Sequence, residues 1–292
     1  MKRFSFYIIH CVLVIFSAIF SILPRKISLF IGRQIGMLLY LIPFRKDVAR
    51  KNIDIAFKGT TPSNRKLILL NCYKHYGMLL IDFLRQQSIN KYNLDDYFVF
   101  SNEAKKNLVS AEGGCILSAH IGNWEMVLPA MGLHGIKMDT VVMKQKNKAA
   151  DNFYTKLRSF PNIRLIPKDG ALKGLYKAID EDRMVGLASD QNARSKGLKI
   201  DFFGELSSFP KGAGKFYYKT DCKLFIVFCI LRSDLKYYVY TKELKVNKIN
   251  DTEDEIIEQI VSAYADELSK KIKQHPEQYF WFHKKWNKKI YK

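Results

Sequence analysis

No cysteine pair in this chain is spaced as a metal or redox motif. The five cysteines, at 11, 72, 115, 222 and 229, are odd in number and none falls in a C-x-x-C. A disulfide framework and a zinc site are both unindicated, and the cysteines read as reduced, mostly core residues. Cys115 is a weak candidate nucleophile and a better packing residue, because it sits inside an apolar strand-like run. No metal-ligand cluster and no glycine-rich nucleotide loop is visible, so no resident cofactor is expected. Repeats and low-complexity segments are missing too. Acidic residues are scarce: 28 Asp and Glu stand against 48 Lys and Arg, a net charge of +20. Such a surplus points to an anionic partner: nucleic acid, a membrane surface or a phosphorylated substrate.

What is present is a globular composition, with 48% hydrophobic and 26% charged residues over 292 positions. That length suits one large domain, or one domain with an appendage. Residues 4–23 carry no formal charge, and only Ser5, His10, Ser17 and Ser21 interrupt the apolar run. A helix of about 20 residues reaches about 30 Å, the thickness of a hydrocarbon core. Residues 1–26 are therefore expected to be a transmembrane or membrane-anchoring helix, with a cleaved signal peptide as the rival reading. A second apolar run, 27–44, carries Arg33 near its middle, which suits a helix at the interface or packed on the body better than a span. Residues 1–44 hold five basic residues and no acid, as an anionic leaflet would favour.

Beyond residue 45 the sequence alternates short apolar runs with amphipathic stretches. Strands are expected at 114–119, 140–143, 163–166, 184–189, 199–203, 224–231 and 237–241. Helices are expected at 63–87, 123–133, 148–159, 171–181, 212–219 and 253–274, the last opened by the capping box Thr252-x-x-Glu255. This alternation predicts an α/β domain over 27–292, with a mixed or mostly parallel sheet flanked by helices.

The segment 113–130, GGCILSAHIGNWEMVLPA, is the most informative. A buried strand ends at Ala119, and His120 follows at its carboxyl end, where open α/β sheets place ligands. Gly122 permits a tight turn, and Asn123 can cap the next helix with Glu125 in its first turn. The turn would let the Glu125 carboxylate reach the imidazole. A histidine held by a carboxylate is a general base for a hydroxyl, since the acid fixes the tautomer and stabilises the imidazolium. With no G-x-S-x-G serine nearby, direct transfer to a substrate hydroxyl is expected rather than a covalent enzyme intermediate. The bland alternative is a hydrogen-bonded core histidine and a surface glutamate. Asp190 and Gln191 end the strand MVGLAS and should share the same sheet edge. Lys211 and Gly212 open a helix whose free N–H groups could hold a phosphate.

HIGNWE resembles the H-x4-D/E signature of the lysophospholipid acyltransferase superfamily, in the H-x-G-N-W-E form of its lipid A biosynthesis (lauroyl/myristoyl) branch. Other blocks are similar in the same order: Asn147 with Arg158, Asp190-Gln191, Gly197, Phe202-Phe203-Gly204, Pro210 with Gly212, and HPEQYFWFHKKW from His275 to Trp286. The resemblance covers nearly the whole chain. It implies a membrane-associated enzyme of the bacterial inner membrane, facing the cytoplasm. Such an enzyme would move a fatty acyl chain from acyl carrier protein or acyl-CoA to a hydroxyl of a lipid A precursor or related glycolipid. By resemblance His120 is the general base, Glu125 its partner, and Arg158 a stabiliser of the transition state or a donor-binding group. Asn123, Trp124, Arg164, Asp190, Gln191, Lys211 and Gly212 are candidate substrate-binding residues. KGAGKFYY after Pro210 is bulkier than the usual helix there, and Tyr279 stands where the branch often has Trp.

Other acceptors fit the same chemistry: a glycerophospholipid or a mannosylated inositol lipid. Two readings of other classes remain, a membrane-tethered nucleic-acid binder and a non-catalytic lipid scaffold. No RNP, helix-turn-helix or zinc pattern supports the former, so nucleic acid is not expected as a partner.

Overall fold

A computed structural model of the chain describes residues 2–43, 45–109, 111–145, 147–247 and 252–292, with side chains from residue 10 onward. Phe44 and the side chains of residues 4–9, parts of the two apolar runs, lie outside the described residues. Four helices come first: α1 (Lys2–Ile22), α2 (Arg25–Leu41), α3 (Lys46–Ala56) and α4 (Pro62–Arg85). There follow β1 (Phe98–Phe100), β2 (Gly114–Ser118), α5 (Val127–Leu133), β3 (Met138–Val142), α6 (Lys148–Leu157), β4 (Ile163–Pro167), α7 (Ala171–Asp180) and β5 (Met184–Ala188). The chain closes with β6 (Leu198–Asp201), β7 (Leu206–Phe209), α8 (Gly212–Thr220), β8 (Leu224–Leu231), β9 (Tyr237–Leu244) and α9 (Glu253–Gln274).

The local signals account for the long helices. Thr61 accepts from the Asn64 N–H, and Pro62 occupies the first turn of α4, where a missing N–H costs nothing. Both halves of the Thr252–Glu255 capping box are made at the start of α9. Of the elements named above, the edge strand β1, the strand β7 that pairs antiparallel with β6, and helix α3 have no counterpart in the sequence expectations.

The main sheet has seven strands in the order β1-β9-β8-β2-β5-β3-β4. The run β8-β2-β5-β3-β4 is parallel throughout, β9 is antiparallel to β8, and β1 is parallel to β9. All eight residues of β8 are buried, as expected of a strand covered on both faces. Leu224, Ile226, Phe228 and Ile230 join the core beneath α8 and α9, and Phe225, Val227, Cys229 and Leu231 join the core beneath α5 and β1.

Pro62–Ser88, enclosing α4, is long and apolar enough to cross a membrane by length and composition, yet half of its most apolar window is buried inside the protein. It keeps His75, Asp82 and Arg85 out of solvent. α2 lies against it through three glycines: a methyl group on Gly36 would overlap the Tyr73 carbonyl, and one on Gly77 would overlap that of Gly32. This close approach leaves Ile27, Phe30, Met37, Leu38 and Leu41 of α2 exposed on its outer side, beside exposed Ile15, Phe16 and Ile22 of α1. α1 is tied to the body by Ser17, whose hydroxyl donates to the Leu84 carbonyl at 2.6 Å.

Candidate active site

β2 and β5 pair in parallel with Gly114 opposite Met184 and Ser118 opposite Ala188. Continued two residues past both strands, that register sets His120 opposite Asp190. Asp190 Oδ1 lies 2.7 Å from His120 Nδ1. A carboxylate at ordinary pH only accepts, so Nδ1 carries the proton and Nε2 presents its lone pair. The Gln191 amide nitrogen lies 3.3 Å from Nε2 and donates to it. Burial works against charge on the imidazole, but the Asp190 carboxylate outweighs it and raises the pKa above the ordinary 6.5. Burial likewise disfavours the Asp190 carboxylate, and the facing imidazole reverses this, leaving its pKa below the usual value.

The expectation that Glu125 would reach the imidazole is corrected here. Gly122 turns the chain with φ at 64°, and residues 124–126 form a single 3-10 turn instead of an α-helical start. Glu125 then meets Arg158 at the end of α6 in a bidentate pair, Oε2 accepting from Nε at 2.8 Å and Oε1 from Nη2 at 2.6 Å. Burial opposes the guanidinium charge, and the Glu125 hydrogen bonds more than restore it, so its pKa is raised. Asn123 does not cap the following helix. Its side chain is fully buried and donates to the Tyr237 hydroxyl at 3.0 Å.

His120, Trp124, Glu125 and Arg158 line one cavity of about 310 Å³. The remainder of its wall is mostly apolar: Ile116, Val127, Leu128, Met138, Val141 and Leu187, with Gly186 among them. The Trp124 ring centroid is 4.9 Å from that of His120. An imidazole and a guanidinium thus share one cavity with a mostly apolar wall.

The turn that carries His120 is clamped from behind. His75 on α4 hydrogen-bonds the Gly122 carbonyl through Nε2 at 2.9 Å. Burial pushes its pKa down to about 4, so it is neutral and donates. Tyr237, holding Asn123, donates to Asp82 at 2.7 Å, and Arg25 of α2 bonds both oxygens of that carboxylate. The closing segment straps the front. The Phe280 N–H donates to the His120 carbonyl, and Ile121 bridges Tyr279. The Asn192 N–H donates to His283 Nε2, and Lys285 Nζ donates to the Asp190 carbonyl. Lys285 is buried, 3.4 Å above the Phe209 ring, and that burial brings its pKa down to about 7. Tyr279 is buried too. Desolvation, with the Asp190 carboxylate close by, pushes its phenol well above the usual value.

Two expected substrate-binding positions are elsewhere. Arg164 is near the amino end of β4, in ion pairs with Asp139 and Glu181, away from the strand ends that hold His120. Lys211 and Gly212 do not line the cavity, and Lys211 Nζ is 3.5 Å from Asp254. The residues underrated from the sequence are Asp190 as the imidazole's partner, His75 and Lys285. Asp190 has a signal, the end of a strand, and Lys285 lies in the closing block; His75 has none beyond residue type. Among the cysteines, 72, 115 and 229 are buried, Cys222 is partly covered, and Cys11 is exposed rather than in the core.

The site is thus a carboxylate-held histidine at the carboxyl edge of a mostly parallel sheet, sharing a mostly apolar cavity with an arginine. The sequence profile of the bacterial lipid A biosynthesis acyltransferases matches residues 2–288, and the chain belongs to that family. It is an acyltransferase. It is 23% identical over 278 residues to the lipid A biosynthesis palmitoleoyltransferase of Escherichia coli (strain K12), covering 90% of this chain and 86% of that protein. It is also 22% identical over 183 residues to the phosphatidylinositol mannoside acyltransferase of Mycolicibacterium smegmatis, covering 61% of this chain and 58% of that protein.

Proposed function

We infer that this acyltransferase moves a fatty acyl chain from the thioester of acyl carrier protein or acyl-CoA to a hydroxyl of a lipid A precursor, with His120 as general base. The observation that carries the reading is the Asp190–His120 contact at the mouth of an apolar slot. Asp190 holds Nδ1–H, and Nε2 takes the proton from the acceptor hydroxyl as its oxygen attacks the thioester carbonyl. The new C–O bond forms a tetrahedral oxyanion. Arg158 uses Nε and Nη2 on Glu125, and Nη1 is left to face that charge. Collapse breaks the C–S bond, and the imidazolium returns its proton to the departing thiolate. Glu125 is a positioning residue for Arg158 in this scheme, not the partner of His120. The slot takes the acyl chain, and Trp124 covers the base.

The exposed apolar sides of α1 and α2 and the +20 charge support seating on an anionic bilayer, with residues 1–26 as the anchor and 27–292 as the catalytic body. A cytosolic donor would require the body to face the cytoplasm, at the bacterial inner membrane. A second acceptor, a mannosylated inositol lipid, is favoured by the likeness to the mycobacterial enzymes. Purified membranes containing the protein are incubated with labelled acyl donors and either acceptor, and products are read by mass spectrometry. Transfer that requires His120 and Asp190 is expected; transfer undiminished in His120→Ala overturns the mechanism. A reporter fused after Lys292 and active only outside the cytoplasm overturns the orientation.

A further inference from the structure

A second cleft, of about 510 Å³, opens behind the turn that carries His120. Its walls come from four places: Arg33 of α2, Asn71, Lys74 and His75 of α4, Arg232 in the β8–β9 hairpin, and Glu277 after α9. It is separate from the acyl slot, with no lining residue in common. Arg33, Lys74 and Arg232 bring three positive charges, and none is ion-paired to a carboxylate among the described residues; Arg232 lies 5.4 Å over the Tyr238 ring. Glu277 is the one acid in the wall, so the cleft carries 3 − 1 = +2. His75 adds no charge, being spent on the Gly122 carbonyl.

Unpaired cations converging on one concavity repel each other and hold water at a cost that an anion would relieve. The excess is felt locally. His275, next to the cleft, has its pKa lowered by burial and then by Arg232 and Lys271. The cleft also borders the apolar side of α2. Arg33 stands one helical turn from exposed Phe30 and Met37, so an anion bound to it would sit at headgroup level if those side chains enter a bilayer.

We propose that this cleft binds the phosphate of a lipid headgroup through Arg33, Lys74 and Arg232. Two sources present that chemistry at a membrane: the phosphorylated acceptor itself and bulk anionic phospholipid. The acceptor arm rests on the acyl-transfer reading above; the bulk-lipid arm does not.

The test uses full-length protein and a Lys74→Ala/Arg232→Ala double variant, with Lys173→Ala/Lys199→Ala as a control of equal charge loss. Co-sedimentation is measured with vesicles of phosphatidylcholine, alone or mixed with phosphatidic acid. Acyl transfer is measured with an acceptor that carries or lacks its phosphate. Loss of about fivefold in phosphatidic-acid preference per removed charge, beyond that of the control, is expected for a bulk-lipid occupant. A matching rise in KM for the phosphorylated acceptor alone, with kcat unchanged, is expected if the acceptor is the occupant. Lys74→Arg should restore whichever effect is seen. Vesicle preference and KM both indistinguishable from the control variant overturn the proposal. Absence of any acyl transfer in the wild type overturns the enzyme mechanism and leaves the vesicle measurement to decide the cleft.

Discussion

His120 and Asp190 lie seventy positions apart and meet at 2.7 Å, because the strands they follow are paired in register and each residue stands two places past its strand. The contact is a product of sheet pairing. Any change that slips β2 against β5 by one residue would turn one of the two side chains to the other face.

The raised imidazole pKa sets the acid limb of the rate profile. The base works only when neutral, so kcat/KM should fall as the pH drops through a midpoint above 6.5. Asp190→Asn should lower that midpoint and cut kcat by about 10²–10⁴-fold. A pH–rate series on both proteins checks this; an unmoved midpoint contradicts the assigned partner.

Glu125 and Arg158 should fail together. Their side chains are 13% and 22% exposed, so stranding either ion costs less than in a sealed core, about 1–3 kcal/mol. Glu125→Ala should lower the Tm by that equivalent and reduce kcat more than it raises KM. Arg158→Lys should not restore activity, because an ammonium cannot make the two parallel bonds. Thermal melts with steady-state kinetics test both points, and a pure KM effect would refute the positioning role of Glu125.

Gly186 lines the cavity proposed to take the acyl chain, and an added Cβ there would lie 2.7 Å from the Met138 methyl. Gly186→Val should therefore shift preference toward shorter chains. Each methylene denied burial costs about 0.8 kcal/mol, roughly fourfold in kcat/KM. Competition among donors of graded length reads the shift; an unchanged optimum would put the chain somewhere else.

His75 makes folding pH-sensitive. Its folded pKa of about 4 is below the ordinary 6.5, so the unfolded chain binds the extra proton between those values. Stability from this group is present above 6.5 and is lost as the pH falls toward 4, about 3 kcal/mol in all. His75→Gln, which can still donate to the Gly122 carbonyl, should flatten denaturant midpoints across that window. A slope equal to the wild type's would show that other groups carry it.

Much of the fold and site is legible in the sequence, and the exceptions have separate physical causes. His120, Glu125 and Arg158 were found because the first two sit in one short motif and the third in an ordered block. Proximity along the chain suggests Glu125 as the partner of the imidazole, whereas strand pairing supplies Asp190. Arg164 is only six residues from Arg158, yet Arg158 ends a helix and Arg164 lies past a turn in β4. Lysine is rarely buried, so residue type alone gives no hint that Lys285 is; a carbonyl and a ring receive its ammonium. β1, at three residues, is too short for any periodicity to register.

The glycine contact between α2 and α4 couples the outer helix rigidly to the site. Backbone rests on backbone there, and α4 in turn grips the catalytic turn through His75. With the greasy side of α2 set in a bilayer, as proposed, the altitude of His120 over the lipid surface is a mechanical constant with no hinge in between. The hydroxyl that gets acylated would then be chosen partly by its elevation, and a bulkier residue at Gly36 would recalibrate that gauge before it touched any chemistry.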